Sequence, residues 1–305
     1  MEFALIILKQ TLLMSLYMLI GYLLFRGKKI NAAGSRSIAA LLVWASIPAT
    51  ILKSCLVPYS SERLVQMGQC FLAGAAVLAV AMLVSRLCFR KDPIAQFAAS
   101  FSNAGFIGIP LVQASLGDEA VFFLLGIIVL LNILQFTYGA KLLKGEQVQL
   151  RVKGILLNPI MIAGVVGVVL FVSGLGSSLP TICTGLISGV AALNAPLAMI
   201  VLGVYLAQTQ LRHLVTSGKL YLLSAVRLLL IPCLTIPVLL VLPGDNVLKM
   251  ALMIAAAAPA GANVAVYAQL YDCDYGYACE TVTQSTVLSI LTLPLVAALA
   301  GLVIH

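Results

Sequence analysis

Two apolar segments of the chain combine residues that break helices with residues that bind polar ligands. The first runs from Phe101 to Pro110 and contains Asn103, Gly105 and Gly108. Proline removes a backbone donor and clashes with the preceding turn, and glycine weakens a helix further. An uninterrupted helix is therefore not expected in this segment.

The second segment, residues 258–263, has the same character, with Pro259, Gly261 and Asn263 in close succession. A broken helix frees backbone amides and carbonyls, and these groups are costly when they face lipid. They must therefore face protein or a water-filled cavity. Two half-helices that begin at such breaks present N-terminal ends equivalent to about half a positive charge each, which favours an anionic ligand.

Asparagine and serine side chains at predicted mid-membrane depth extend this candidate site. The candidate substrate-binding residues are Ser46, Asn103, Gly105, Gly108, Pro110, Asn132, Asn194, Pro259, Gly261 and Asn263. Arg227 lies inside a predicted span, and it either snorkels to the interface or acts as a charge partner of the substrate.

A simpler interpretation of these segments is that proline and glycine only kink and pack transmembrane helices. For one broken span, this interpretation and a binding site explain the sequence equally well. Two broken spans at corresponding positions in the two halves of the chain favour a binding site. No predicted span has Asp or Glu in its middle, which argues against a carboxylate proton relay. The coupling ion, H+ or Na+, stays open.

The composition places these segments in a membrane. Hydrophobic residues make up 62% of the 305 residues and charged residues 9%, and the mean hydropathy is +1.12, which excludes an ordinary soluble domain. A helix needs about 20 apolar residues to cross a bilayer. The sequence predicts ten spans, at residues 5–25, 37–57, 66–86, 94–115, 120–143, 154–173, 181–206, 219–241, 247–268 and 280–303.

The net charge of +8 reflects membrane orientation rather than nucleic-acid binding. Of the 18 lysines and arginines, 13 lie in the alternate loops after the first, third, fifth and seventh predicted spans. The opposite loops hold only Lys53, Arg63 and Lys249. The positive-inside rule therefore predicts that both termini lie on the non-cytoplasmic side.

The longest polar interruption divides the chain into residues 1–143, a cytoplasmic linker at 144–153 and residues 154–305. Five spans is an odd number, so a second copy of the first half must enter from the opposite face. Asn103 and Pro259 are separated by 156 positions, as are the acidic turns at Asp118 and Asp274. We therefore predict an all-α membrane protein built from two inverted five-helix repeats.

Signatures of enzymes and metal sites are missing from the sequence. It has no P-loop, no G-x-S-x-G and no H-E-x-x-H motif. The seven cysteines form no C-x-x-C pair, and two distant histidines are too few for a metal site. We therefore expect no catalytic residue, no metal and no cofactor.

The two broken segments resemble sequence patterns of a known protein family. Asn103 to Leu111 is similar to the pattern of Asn, four residues and Gly-Ile-Pro-Leu in the fourth span of the auxin efflux carrier family, which includes plant PIN transporters and bacterial malonate-transporter-like proteins. Pro259-x-Gly261, Tyr271 and Thr292 to Pro294 resemble the family's C-terminal segment, and Asn132 and Trp44 to Pro48 agree more weakly. The resemblance covers the whole chain.

This resemblance implies ten helices with the fourth and ninth crossing at their prolines, as in the bile-acid symporter fold. It also implies that Asn103 and the crossing near Pro110 and Pro259 contact a substrate carboxylate. A scaffold that includes the second and seventh spans would then move against a transport domain, as in elevator-like carriers. Plant members carry Lys-Glu before the ninth-span tyrosine, where this chain has Gln269 and Leu270, and they have a long central loop that it lacks. Auxin is therefore not the expected substrate.

The expected function is that of a secondary carrier for a small organic anion, a carboxylate or dicarboxylate, in a bacterial inner membrane. Two alternatives stay open: an anion channel whose pore the same crossing lines, and an intramembrane enzyme or receptor that binds the ligand without moving it. The expected partners are the anion and the lipid bilayer, a homodimer is left open, and no nucleic acid is expected.

Overall fold

The computed structural model describes residues 2–145, 157–209 and 211–304. These residues form α1 (Glu2–Arg26), α2 (Ala32–Cys55), α3 (Ser61–Cys88), α4a (Pro93–Ser100), α4b (Ala104–Leu116), α5 (Asp118–Lys144), α6 (Pro159–Val172), α7 (Thr181–Gln208), α8 (Gly218–Val241), α9a (Asn246–Ala257), α9b (Asn263–Leu270) and α10 (Tyr275–Gly301). Short helices at Leu175–Ser178 and Leu211–Thr216 connect some of them. Across the described ranges no β-strand forms, and β-type pairing is confined to an isolated bridge between Ser102 and Ala260.

Seven of these helices, α1, α2, α3, α5, α7, α8 and α10, are long and apolar enough to cross a membrane. The protein is therefore an all-helical, multi-pass membrane protein, as the composition predicts. The predicted fourth and ninth spans are each two shorter helices, and the predicted sixth span is represented by α6, of 14 residues. The predicted linker from residue 146 onward, and residues 154–156 of the sixth span, lie outside the described residues.

Polar residues fix where six of the helices begin. Each accepts a hydrogen bond through its side chain from a backbone amide two or three residues later, an amide that otherwise lacks a partner in the first helical turn. These N-terminal caps are Asn31, Ser60, Asp92, Asn158, Asp245 and Asp274. Proline follows directly after Asp92 and Asn158, where its missing amide costs nothing.

Three helices contain a widened π-type turn directly before an Ile-Pro pair. A proline cannot donate to the carbonyl four residues earlier, and its ring clashes with that carbonyl, so a wider turn accommodates it. The turns are Leu42–Ser46 before Pro48, Ala104–Gly108 before Pro110 and Val226–Leu230 before Pro232. Pro110 therefore lies inside a continuous helix, and the crossing expected there lies at residues 101–103 instead.

The helices pack in two groups that we name the panel and the crossover bundle. The panel consists of α1, α2, α6 and α7, and its most extensive contact joins α1 to the second half of α7. The crossover bundle consists of α3, α4a, α4b, α5, α8, α9a, α9b and α10. Helix α1 also packs on α10 and α4b, so it forms part of the boundary between the groups.

Glycine permits the closest helix contact within the panel. A methyl group added at Gly203 of α7 would overlap the carbonyl oxygen of Met18 in α1, and one added at Gly21 would overlap the carbonyl of Ile200. Small residues let helix backbones approach in this way, and packing at such contacts drives helix association in lipid.

We expect Gly203→Ala to destabilise the protein by about 1–3 kcal/mol, because α1 and α7 must move apart to admit the methyl group. The measurement is thermal unfolding of the purified protein in detergent. Gly189→Ala, on the same helix, is the matched control, because no atom lies within 4 Å of a methyl group there. Both variants gain the higher helix propensity of alanine, so only the steric overlap at Gly203 should separate them. Equal unfolding temperatures for the two variants would contradict this account of the contact.

Candidate functional site

The breaks in the fourth and ninth segments pair with each other through their backbones. The amide of Asn103 donates to the carbonyl of Pro259 at 2.8 Å, and the amide of Gly261 donates to the carbonyl of Phe101 at 2.9 Å. The hydroxyl of Ser285, on α10, accepts a hydrogen bond from the amide of Ala260 at 3.1 Å. Each extended segment thus satisfies backbone groups that the other would leave exposed to the membrane interior.

A cavity of about 210 Å³ lies where α4b and α9b begin. The N-terminal residues Ala104 and Gly105 of α4b and Ala262 and Asn263 at the start of α9b line it. Asn103 caps α4b, because its Oδ1 accepts from the amide of Phe106 at 3.3 Å. The two positive helix ends therefore meet at one cavity.

The cavity lies on the boundary between the panel and the crossover bundle. The panel contributes Val43 and Ile47 of α2, together with Asn158 and Ile160 at the start of α6. Helices α5 and α9b form the opposite wall, with Ile128, Leu131, Asn132, Gln135, Phe136, Val266 and Tyr267. The lining is thus largely apolar with a few amide side chains, as is common for small-molecule sites.

Three buried polar atoms without partners lie on this lining. Asn103 Nδ2, Gln135 Nε2 and the Tyr267 hydroxyl are buried and have no hydrogen-bond partner among the described residues. Gln135 Oε1 is engaged, since Asn263 Nδ2 donates to it at 2.7 Å. An unmade hydrogen bond costs a buried group about 1–3 kcal/mol. Together with the absence of Asp or Glu from the described lining, these free donors favour a ligand rich in acceptors.

Comparison with known proteins assigns the chain to a family. A family model described as membrane transport protein matches residues 6–297. The chain belongs to this family. The family is the auxin efflux carrier family, so the resemblance seen in the Asn103 and Pro259 segments is confirmed.

An uncharacterized transporter of Methanothermobacter thermautotrophicus is 30% identical over 206 residues, which are 65% of this chain and 65% of that protein. The chain thus aligns with just under two thirds of the length of this relative. Both comparisons point to membrane transport.

The structure brings five of the sequence-predicted residues of this family member into the cavity lining, namely Asn103, Gly105, Asn132, Gly261 and Asn263. Asn132 Nδ2 donates to the carbonyl of Ile128 one turn earlier at 2.8 Å, which occupies one of its two N–H groups.

The other predicted residues lie outside the described lining. The hydroxyl of Ser46 donates to the carbonyl of Val190 at 3.0 Å, within the panel. Gly108 faces Ala255 of α9a, and the carbonyl of Pro259 belongs to the backbone pairing. Pro110 lies in α4b, and Asn194 donates from α7 to the carbonyl of Gly105 at 3.2 Å.

Arg227 neither snorkels nor lines the cavity. It is buried to 1% exposure and donates hydrogen bonds to the carbonyls of Ala258 at 3.1 Å and Ala99 at 3.0 Å, as well as to the carbonyl of Ala256. These carbonyls lie at the ends of α4a and α9a. The expected contact of Arg227 with the substrate therefore does not fit its position.

Sequence reasoning missed Gln135 and Tyr267 in the cavity lining. Gln135 follows Asn132 by three residues, and Tyr267 follows Asn263 by four, so helical spacing places each pair on one face. Applying this helical spacing to Asn132 and Asn263 would have identified both residues from the sequence.

We expect Gly261→Ala to weaken the backbone pairing, because its methyl group would lie 3.2 Å from the carbonyl oxygens of both Phe101 and Ser102. The measurement is again the thermal unfolding temperature, which should fall. Gly105→Ala is the matched control at the same cavity, since its methyl group meets Ile47 at an ordinary 3.7 Å. If Gly261→Ala unfolds at the same temperature as Gly105→Ala, the prediction is wrong, because the two paired backbone segments can then move apart without loss of stability.

Proposed function

We propose that the protein is a secondary carrier that moves a small organic anion, a carboxylate or dicarboxylate, across the membrane by elevator-like alternating access. The observation that carries the proposal is the cavity between panel and crossover bundle, which two helix N-termini and three unpaired polar groups face. Membership of the transport family and the likeness to an archaeal transporter support it.

The electrostatics of the cavity favour a carboxylate. Two helix N-termini together supply about one positive charge, and this charge acts at short range in a site of low dielectric. The side-chain amides of Asn103 and Gln135 add free N–H donors. Pockets for drug-sized ligands measure about 300–1,000 Å³, so a cavity of about 210 Å³ suits a smaller molecule.

The polar contacts at the crossing support movement of the crossover bundle as one body. The crossing is bonded to α8 through Arg227 and to α10 through Ser285, both of which belong to the bundle. The panel contacts the start of α4b, next to the crossing, through the hydrogen bond from Asn194 to Gly105. Farther from the crossing, Lys53 of α2 forms a partly exposed ion pair with Asp118 of α5 at 2.9 Å. Breaking a neutral hydrogen bond costs about 1 kcal/mol and breaking an exposed ion pair about 0–1 kcal/mol, which permits sliding.

The same pairing supports an inverted repeat of five helices in each half. Asn103 and Pro259, matched by the offset of 156 residues, are hydrogen-bonded to each other, as residues near a two-fold axis in the membrane plane would be. We include in the proposal ten membrane-crossing segments, a bacterial inner-membrane location and non-cytoplasmic termini, which the positive-inside rule favours.

The test of anion binding is a pair of substitutions at one position. Asn103→Asp keeps the Oδ1 cap of α4b but replaces the free donor by a negatively charged acceptor, so we expect an unchanged fold and loss of carboxylate uptake. Asn103→Ala loses both the cap and the donor, so we expect lower stability by about 1 kcal/mol as well. Uptake of labelled mono- and dicarboxylates into proteoliposomes is the measurement.

Unchanged uptake by Asn103→Asp would remove the main support for anion binding at this cavity. Wild-type flux that neither saturates nor shows trans-stimulation would indicate a channel instead of a carrier.

The test of movement is a cross-link between panel and bundle. In a cysteine-free background, Lys53→Cys with Asp118→Cys, joined by a short thiol reagent, should stop transport reversibly, because this pair joins α2 to α5 outside the cavity lining and the two groups can no longer slide. Ser224→Cys with Gln284→Cys is the control, since that hydrogen-bonded pair, at 2.9 Å, lies within the bundle. Full transport by the cross-linked Lys53 and Asp118 variant would contradict the elevator mechanism.

A further inference from the structure

Arg227 is a fully buried cation whose hydrogen-bond acceptors in the described chain are backbone carbonyls. Its Nε, Nη1 and Nη2 donate to the carbonyls of Ala258, Ala99 and Ala256. The guanidinium therefore joins α8 to both broken segments at once. None of the three carbonyls belongs to the cavity lining, and neither does Arg227.

The acceptors are the groups that two broken helices leave without partners. The last four carbonyls of a helix have no intrahelical donor, and the membrane interior offers no water in their place. Ala99 lies in the final turn of α4a, Ala256 in the final turn of α9a, and Ala258 directly follows α9a. A planar guanidinium, with five donors in a fixed fork, can reach several of them together, whereas an ammonium group acts as a point charge.

The charges at the crossing balance in a simple way. Each helix C-terminus is equivalent to about half a negative charge, so the ends of α4a and α9a together match one guanidinium. The crossing is then close to neutral on its C-terminal side. The positive ends of α4b and α9b remain uncompensated at the cavity.

We propose that these carbonyls form a cation site that the protein fills with its own side chain, and that Arg227 thereby positions the two helix N-termini that receive the substrate. The positioning role rests on the proposed carrier function, while the cation site does not. Arg227 is a positioning residue, because it acts on the ligand only through the crossing.

The experiment uses the purified full-length protein with Arg227→Ala and chemical rescue by guanidinium chloride at millimolar concentration. Without substrate, the variant should unfold at a lower temperature than the wild type, and guanidinium should raise that temperature by refilling the site. Sodium chloride of equal ionic strength should raise it less, since Na+ lacks the planar fork of N–H donors that matches the three carbonyl positions. In proteoliposomes, carboxylate uptake should fall at least about tenfold and recover with guanidinium.

Ser224→Ala is the matched control. Ser224 lies one turn before Arg227, is 2% exposed and donates to Gln284, so the variant also loses a buried hydrogen bond, but one that does not involve the crossing. Its unfolding temperature and uptake should not respond to guanidinium. If Arg227→Ala does not fold, Arg227→Lys replaces it, with the same expectation of weakened uptake.

A folded Arg227 variant with wild-type stability and uptake would overturn the proposal, and so would a loss of stability that guanidinium leaves unchanged. Failure of the wild type to transport or bind any carboxylate would overturn the carrier function instead. A guanidinium-dependent gain in stability would still support the cation site in that case.

Discussion

The structure depends on one constraint, which is that backbone amides and carbonyls inside a membrane must find partners without water. Two helices of this chain end halfway through the molecule, and each ending frees several such groups. The extended segments at residues 101–103 and 258–262 pair with each other, and Arg227 and Ser285 take up carbonyl and amide groups that remain. At the cavity, the side chains of Asn103, Gln135 and Tyr267 keep free polar groups beside the two helix starts.

A site built in this way has a positive potential without a lysine or arginine in its described lining. Its positive potential comes from helix ends that the fold holds in place, so little reorganisation is needed when the ligand arrives. A fixed partial charge also binds less tightly than a full buried cation would. A carrier needs this moderation, because it must release on one side what it binds on the other.

The sequence predicted which helices break, and for the ninth segment also where, at residues 258–263. Glycine, asparagine and proline in the two segments were sufficient for this. In the fourth segment, the family resemblance implied a crossing at Pro110, yet three Ile-Pro pairs of this chain are accommodated by widened turns. The break instead follows Ser100, where pairing with a segment more than 150 residues away stabilises an extended backbone, and no local pattern encodes that partner.

The side chains show the same division between local and long-range information. Asn103 and Asn263, which were predicted as binding residues because they adjoin the breaks, both lie on the cavity lining. Asn194 was assigned to the ligand, whereas the structure gives its amide to the carbonyl of Gly105. Arg227 was expected at the interface or on the substrate, because the sequence showed a charge in a span but not the carbonyls that surround it. The acceptors of a buried donor depend on the packing of distant helices, which periodicity does not report.

The pairing at the crossing also restricts how the molecule can move. If the two broken segments moved apart, both backbone hydrogen bonds between residues 101–103 and 259–261 would break. The carbonyls held by Arg227 would also lose their shared donor inside the membrane. That cost exceeds the cost of losing the hydrogen bond between Asn194 and Gly105 together with the partly exposed ion pair of Lys53 and Asp118. In the proposed carrier, the lower-energy motion therefore keeps the crossing intact and displaces it together with α8 and α10 along the panel. Because the cavity has one wall on each group, the proposed displacement would change the access to the cavity while the helix ends stay fixed.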